Sequence, residues 1–141
     1  MRMSAKAEYA CLALVELAAK HSAGKPVQVK TVAEIHKVSP GFLVQILIHL
    51  KGAGLVTSSR GTSGGYLLAR PPETITLADI IHTIDPVPEG AVGEAVPSTA
   101  LDCLRDVWKE VHEAERRVLE STTLADLVSR AQVRDNSSYQ I

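Results

Sequence analysis

Aromatic residues are scarce in this chain. One Trp, one Phe and three Tyr make up 4% of its 141 residues, while 45% of the chain is hydrophobic. A core here must be built from Leu, Ile, Val and Ala, a composition that favours helices. Cysteine is equally rare. Cys11 and Cys103 lie far apart and form neither a disulfide framework nor a CxxC zinc motif. Long apolar runs are missing too: no stretch approaches the roughly 18 residues that cross a bilayer. The opening Met1-Arg2-Met3-Ser4-Ala5-Lys6 leads into an amphipathic segment and not a signal-peptide core. These absences predict a cytoplasmic protein with no membrane partner. The length predicts one compact domain with an appendage.

Chemistry-bearing patterns are also lacking. His21, His36, His49, His82 and His112 are scattered, and no Ser/His/Asp or Cys/His arrangement has recognisable spacing. The GxxxxGK[ST] spacing of a phosphate-binding loop is absent. The expectation is a protein that is not an enzyme. What the chain does have is a charge asymmetry hidden beneath a net charge of −1. Residues 1–70 carry nine Lys or Arg against three acids, a net of +6, and the remainder carries six against thirteen, a net of −7. A polyanion is drawn to the first half and repelled by the second. Two solvated faces of unequal charge would look the same on this count alone.

Along the chain, Cys11, Leu14 and Ala18, widened by Leu12, Val15 and Ala19, predict a helix from Ser4 to His21. Thr31 with Glu34 three residues later has capping-box spacing and predicts a short helix over Val32 to Lys37. Ser39-Pro40 is a second start signal, giving a helix from Pro40 to Ala53. Two helices joined by about three residues make a helix-turn-helix. On the second helix, Leu43, Ile46, Leu47 and Leu50 commit one face to the core. The other presents Gly41, Val44, Gln45, Ile48 and Gly52, flanked by Phe42 and His49. Gln45 can pair bidentately with adenine, and Val44 or Ile48 can meet a thymine methyl. A plain surface helix fits the same pattern.

Leu55 to Arg60 and Tyr66 to Arg70 read as strands around the turn Gly61-Thr62-Ser63-Gly64-Gly65, a hairpin of wing type. Its glycines permit close approach to phosphates, and Arg60 can reach a phosphate or the minor groove. Thr76 and Asp79 start another helix, which Leu77, Ile80, Ile81 and Ile84 pack onto the core before Asp85-Pro86 stops it. The predicted organisation is a winged helix-turn-helix over 1–85, a flexible loop over 86–98, dimerisation helices over 99–132 and a disordered tail over 133–141. In the dimerisation segment a long helix runs from Thr99 to about Glu120. Leu101, Leu104, Trp108, Val111 and Val118 form a stripe that a partner copy can bury; the other possibility is that this helix folds onto its own winged domain. A last short helix covers Thr123 to Val128. The fold class is mainly α with a small β-hairpin wing.

At this point the chain resembles the winged-helix repressor family that includes IscR, NsrR and CymR. The resemblance rests on Met1 to Ser4 with Lys6 and Tyr9-Ala10, on Val38 to Leu47, on Ala53 to Val56, on the wing from Ser59 to Arg70, and on Thr123 to Leu127. It implies a homodimeric DNA-binding regulator of a palindromic operator, with double-stranded DNA as partner and a small molecule or a protein as a further effector. Ser39, Pro40, Gly41, Phe42, Val44, Gln45, Ile48 and His49 then face DNA from the recognition helix. Arg60, Ser63, Gly64 and Gly65 do so from the wing, and Arg2 and Lys6 contact phosphate. Val44 departs from the Glu that members often carry. Iron-sulfur members have three cysteines in the segment matching 86–105, and here only Cys103 matches, with Asp106 where a histidine often lies. The resemblance therefore implies no iron-sulfur cluster, unless a minority arrangement joins the partner's Glu8 or Cys11 to Cys103 and Asp106. Cys103 otherwise reads as an inert small hydrophobe, a redox thiol or a relic of a lost site, and Cys11 as core packing. A winged-helix protein-interaction module is the rival reading.

Overall fold

Helix α1 (Ala5–Ala19) starts where the Ser4 hydroxyl accepts the Ala7 N–H at 3.1 Å, satisfying one of the donors left free at a helix start. The computed structural model describes residues 3–61, 64–86 and 95–138. Ala7, Ala10, Cys11, Ala13, Leu14, Leu17 and Ala18 of α1 are buried, so its apolar surface is broader than the predicted stripe. Leu12 and Val15 are half-buried, and Ala19 is exposed because the helix ends there in a 3-10 turn over His21–Ala23.

Helix α2 (Val29–His36) begins three residues before its predicted start. Val27 exchanges two backbone hydrogen bonds of 2.9 Å with Tyr66, which holds the chain extended up to Gln28, and Gln28 is the cap. Thr31 and Glu34 consequently lie inside the helix on its exposed side and form no capping box. Three residues separate α2 from α3 (Pro40–Gly52), which starts as predicted, with Ser39 Oγ accepting the Phe42 N–H at 3.4 Å and Pro40 in the first turn. Leu43, Ile46, Leu47 and Leu50 are all buried, as their spacing requires.

Strands β1 (Val56–Ser59) and β2 (Gly65–Leu68) pair antiparallel, with Val56 opposite Leu68 and Ser59 opposite Gly65. Tyr66 bonds Val27 on the other side, so β2 is flanked on both edges at that point. Helix α4 (Leu77–Ile84) opens at the predicted start, where Thr76 and Asp79 form a capping box. Arg70 adds an ion pair to Asp79 at 3.2 Å. Of the loop predicted over 86–98, residues 87–94 lie outside the described residues. Ser98 then caps α5 (Thr99–Ser121), its hydroxyl accepting the Leu101 N–H at 3.1 Å.

The last helix corrects the sequence reading. α6 spans Leu124–Ser138, so the predicted break at Val128 and the disordered tail from 133 do not occur within the described residues. No Gly or Pro interrupts 124–138, and Arg130, Ala131 and Gln132 carry the helix past its packed turns. α6 packs against α1, and Leu124 is fully buried in the same core as α1, α3 and α4. α5 packs chiefly on α4 and buries none of its own residues. The N–H of Leu77 donates to the carbonyl of Thr122 and that of Leu124 to the carbonyl of Ile75, each at 2.9 Å, which ties the starts of α4 and α6 together.

Leu124→Ala is expected to destabilise the protein by about 3 kcal/mol, the usual cost of a buried Leu cavity. Urea unfolding measures it, and a loss below about 1 kcal/mol would show that α6 is not part of the common core.

Candidate nucleic-acid interface

Three devices hold α3 in place. Its buried leucines and Ile46 fix one face. Phe42, half-buried, meets Tyr9 of α1 edge-on, with ring centroids 6.1 Å apart at 89°. Behind it, His36 Nε2 of α2 lies 3.0 Å from Glu16 Oε1 of α1 and links the first helix of the pair to the core. On the outer side, Gly41, Gln45, Ile48 and His49 are exposed, and Ile48 keeps 58% of its surface accessible. Val44 is half-buried. Of the residues named from sequence on this helix, Phe42 has its ring committed to packing and its N–H to the Ser39 cap.

The wing is joined to α3 by a contact that sequence did not signal. Lys51 Nζ, in the last turn of α3, donates to Ser58 Oγ of β1 at 2.7 Å. Arg60, just beyond β1, is exposed. Gly64 and Gly65 have an internal reason to be glycine. A Cβ on Gly65 would stand 2.4 Å from the Val27 carbonyl oxygen, and one on Gly64 would stand 2.5 Å from the Ser59 carbonyl oxygen. The close approach that excludes side chains here is to the protein's own backbone. Lys6 is half-buried in the first turn of α1, and Arg2 and Ser63 lie outside the described residues.

The second exposed surface is α5. Leu104, Val107, Trp108, Val111 and Val118 remain between 43% and 62% accessible, while Leu101 is half-buried. Val107 was missed from sequence because the step from Leu104 to Trp108 passes over it; the i, i+3 spacing from Leu104 was the available signal. Trp108 stands edge-on to His112, with centroids 6.0 Å apart. Together with Met3, Ile81, Ile84 and Leu119 these two line an open cleft of about 1100 Å³ between α4 and α5.

Comparison with known proteins places this geometry. The Rrf2 family, described as iron-dependent transcriptional regulators, matches residues 3–130. A Mycobacterium tuberculosis protein named as an HTH-type transcriptional regulator is 44% identical over 135 residues, covering 93% of this chain and 83% of that protein. The HTH-type transcriptional regulator CymR of Bacillus subtilis is 37% identical over 133 residues, covering 92% and 91%. The solved structure of CymR, the global cysteine regulator of B. subtilis, superposes with a TM-score of 0.80 at 36% identity, covering 92% of this chain and 98% of that one.

The family description raises the question of iron, and the residues of one chain do not fit a cysteine-ligated cluster. The sequence holds two cysteines. Cys11 is buried in α1, and burial, with the Glu8 carboxylate adding to it, pushes its thiol up to about 11. That is the opposite of the thiolate a metal needs. Cys103 is exposed, and among the described residues no three His, Cys, Asp or Glu side chains converge. The minority arrangement that recruits a partner's Cys11 meets the same obstacle.

In a Cys103→Ser variant, Cys11 is expected to resist a disulfide reagent at pH 8 until denaturant is added, and then to react fully. Prompt reaction of the folded protein would show that the thiol is not enclosed. Burial keeps the folded thiol protonated up to about 11 while the unfolded one ionises near its ordinary 9.0, so its contribution to stability holds below pH 9 and is lost as pH rises toward 11.

Proposed function

The chain belongs to the Rrf2 family of transcriptional regulators, and we propose that it acts in the cytoplasm as a homodimeric repressor on a palindromic operator, without an iron-sulfur cluster. The observation that carries the dimer is that α5, 23 residues long, buries none of its residues within one chain while exposing Leu104, Val107, Trp108, Val111 and Val118. An apolar stripe of this length in water is unfavourable and is relieved when a second copy covers it. The open cleft beside Trp108 gives the partner room to seat. α6 packs against α1 and places Leu124 in the common core, so α5 is the helix that carries the proposed interface.

Each protomer then presents one α3 to one half-site. The outer face of α3, from Ser39 to His49, enters the major groove, with Gln45 and Ile48 as its most accessible readers. Pro40 and Gly41 bring the backbone near a phosphate at the helix start. The wing carries Arg60 to the adjacent minor groove or its phosphates, and the Lys51 to Ser58 bond holds the wing at a fixed angle to α3. Arg2 and Lys6 add phosphate contacts at the start of α1. The acidic second half of the chain stays away from the polyanion.

Binding to a duplex selected from a random-sequence pool by the full-length protein is expected to weaken steeply as salt rises. Arg60→Ala should lower the logarithmic salt slope by about one, the mark of one lost phosphate contact. An unchanged slope removes Arg60 from the interface. Trp108→Asp is expected to convert a dimer into a monomer in sedimentation and to weaken operator binding on the order of 100-fold through lost bivalency. A dimer that survives this change locates the interface elsewhere. Anaerobically purified protein is expected to be colourless and free of iron, and a brown protein whose DNA binding changes on bleaching would overturn the cluster-free reading.

A further inference from the structure

Lys37 closes α2 in the left-handed conformation, with φ 54° and ψ 50°, and among the described residues no other non-glycine residue has a positive φ. The conformation is demanded by the turn. Lys37 N–H donates to the Ala33 carbonyl, and Val38 N–H donates to the same oxygen at 3.0 Å, which reverses the chain so that α3 can begin three residues later. A side chain at such a position crowds its own backbone, and glycine, or failing that Asn, is the residue that takes it with least strain. A lysine stands there instead.

Nothing inside the chain accounts for it. Lys37 is exposed, and its ammonium forms no hydrogen bond or ion pair with any described residue. The nearest acid in sequence, Glu34, points from the preceding turn of α2 and is also exposed and unpaired with it. What the position does offer is location. Lys37 precedes Ser39, the cap of α3, by two residues, in the half of the chain that carries a net +6. We propose that Lys37 is a DNA-contacting residue whose ammonium neutralises one phosphate beside the entry point of α3. A compact charge on a four-carbon stem suits a phosphate and not a base edge, so the contact adds affinity and register without sequence preference. This inference rests on the reading of α3 as the recognition helix.

The test uses the full-length protein, its Lys37→Gly, Lys37→Asn and Lys37→Arg variants, and Arg60→Ala, all on the duplex selected above. Lys37→Gly relieves the strained backbone and is expected to raise the thermal midpoint by about 3–6 °C. It should also weaken binding several-fold and lower the salt slope by about one. Lys37→Asn should bind as weakly as the glycine variant, and Lys37→Arg should keep the wild-type slope. A more stable Lys37→Gly protein with unchanged affinity and slope overturns the proposal, leaving the lysine as a turn residue only. If Arg60→Ala lowers the slope in that same experiment, the recognition reading stands and this inference alone fails. Wild-type protein that binds the duplex without salt dependence overturns both.

Discussion

Most of the fold outside α5 is assembled against α1. Four of its alanines, Ala7, Ala10, Ala13 and Ala18, are buried, and α2, α3, α4, α6 and β2 all pack on it. An alanine surface lets neighbouring helix axes approach closely and loses no side-chain entropy on burial. Because interiors are close-packed, enlarging any of these side chains has to displace a neighbour. Cys11 belongs to this surface, which is why its thiol is enclosed. The constraint reaches the interface directly. α3 is held by its own apolar face, by Phe42 against Tyr9 and, through α2, by His36 beside Glu16, so its outer face is presented on a rigid support.

A second constraint governs how the body meets α5. The segments 75–77 and 122–124 run side by side in antiparallel fashion, and each opens a helix through a Thr and an Asp three residues later. Asp126 accepts from the Thr123 backbone and side chain, which lowers its carboxyl below the usual range. This junction returns the chain to the core immediately after α5, so α5 stands out as an arm with its base fixed. In the dimer proposed above, the angle of that arm sets the separation of the two copies of α3.

The wing shows why a motif can be legible while its reason is not. Gly64 and Gly65 signal a turn from sequence and suggest room for a phosphate. The backbone of Val27 and that of Ser59 occupy the space that a Cβ would need. Val27 pairs with a residue 39 positions further on, and no local pattern reports such a contact. The same pairing moves the start of α2 to Val29, with Gln28 as its cap, and leaves the Thr31 and Glu34 signal unused.

The sequence by itself determined the elements whose cause is local. Period-3.6 apolar spacing fixed the buried face of α3, Ser39-Pro40 and the Thr76 and Asp79 box fixed helix starts, and the charge division separated a basic half from an acidic one. These depend on residues within one or two turns of each other, or on summed charge, and both can be counted along a chain. The tertiary structure decided what depends on distant partners. It set the burial of α1 on several sides, the return of α6 to the core, the exposure of α5 and the pairing of Val27 with Tyr66. Each of these is settled by which surface another element happens to cover, and that is fixed only when the whole chain has packed.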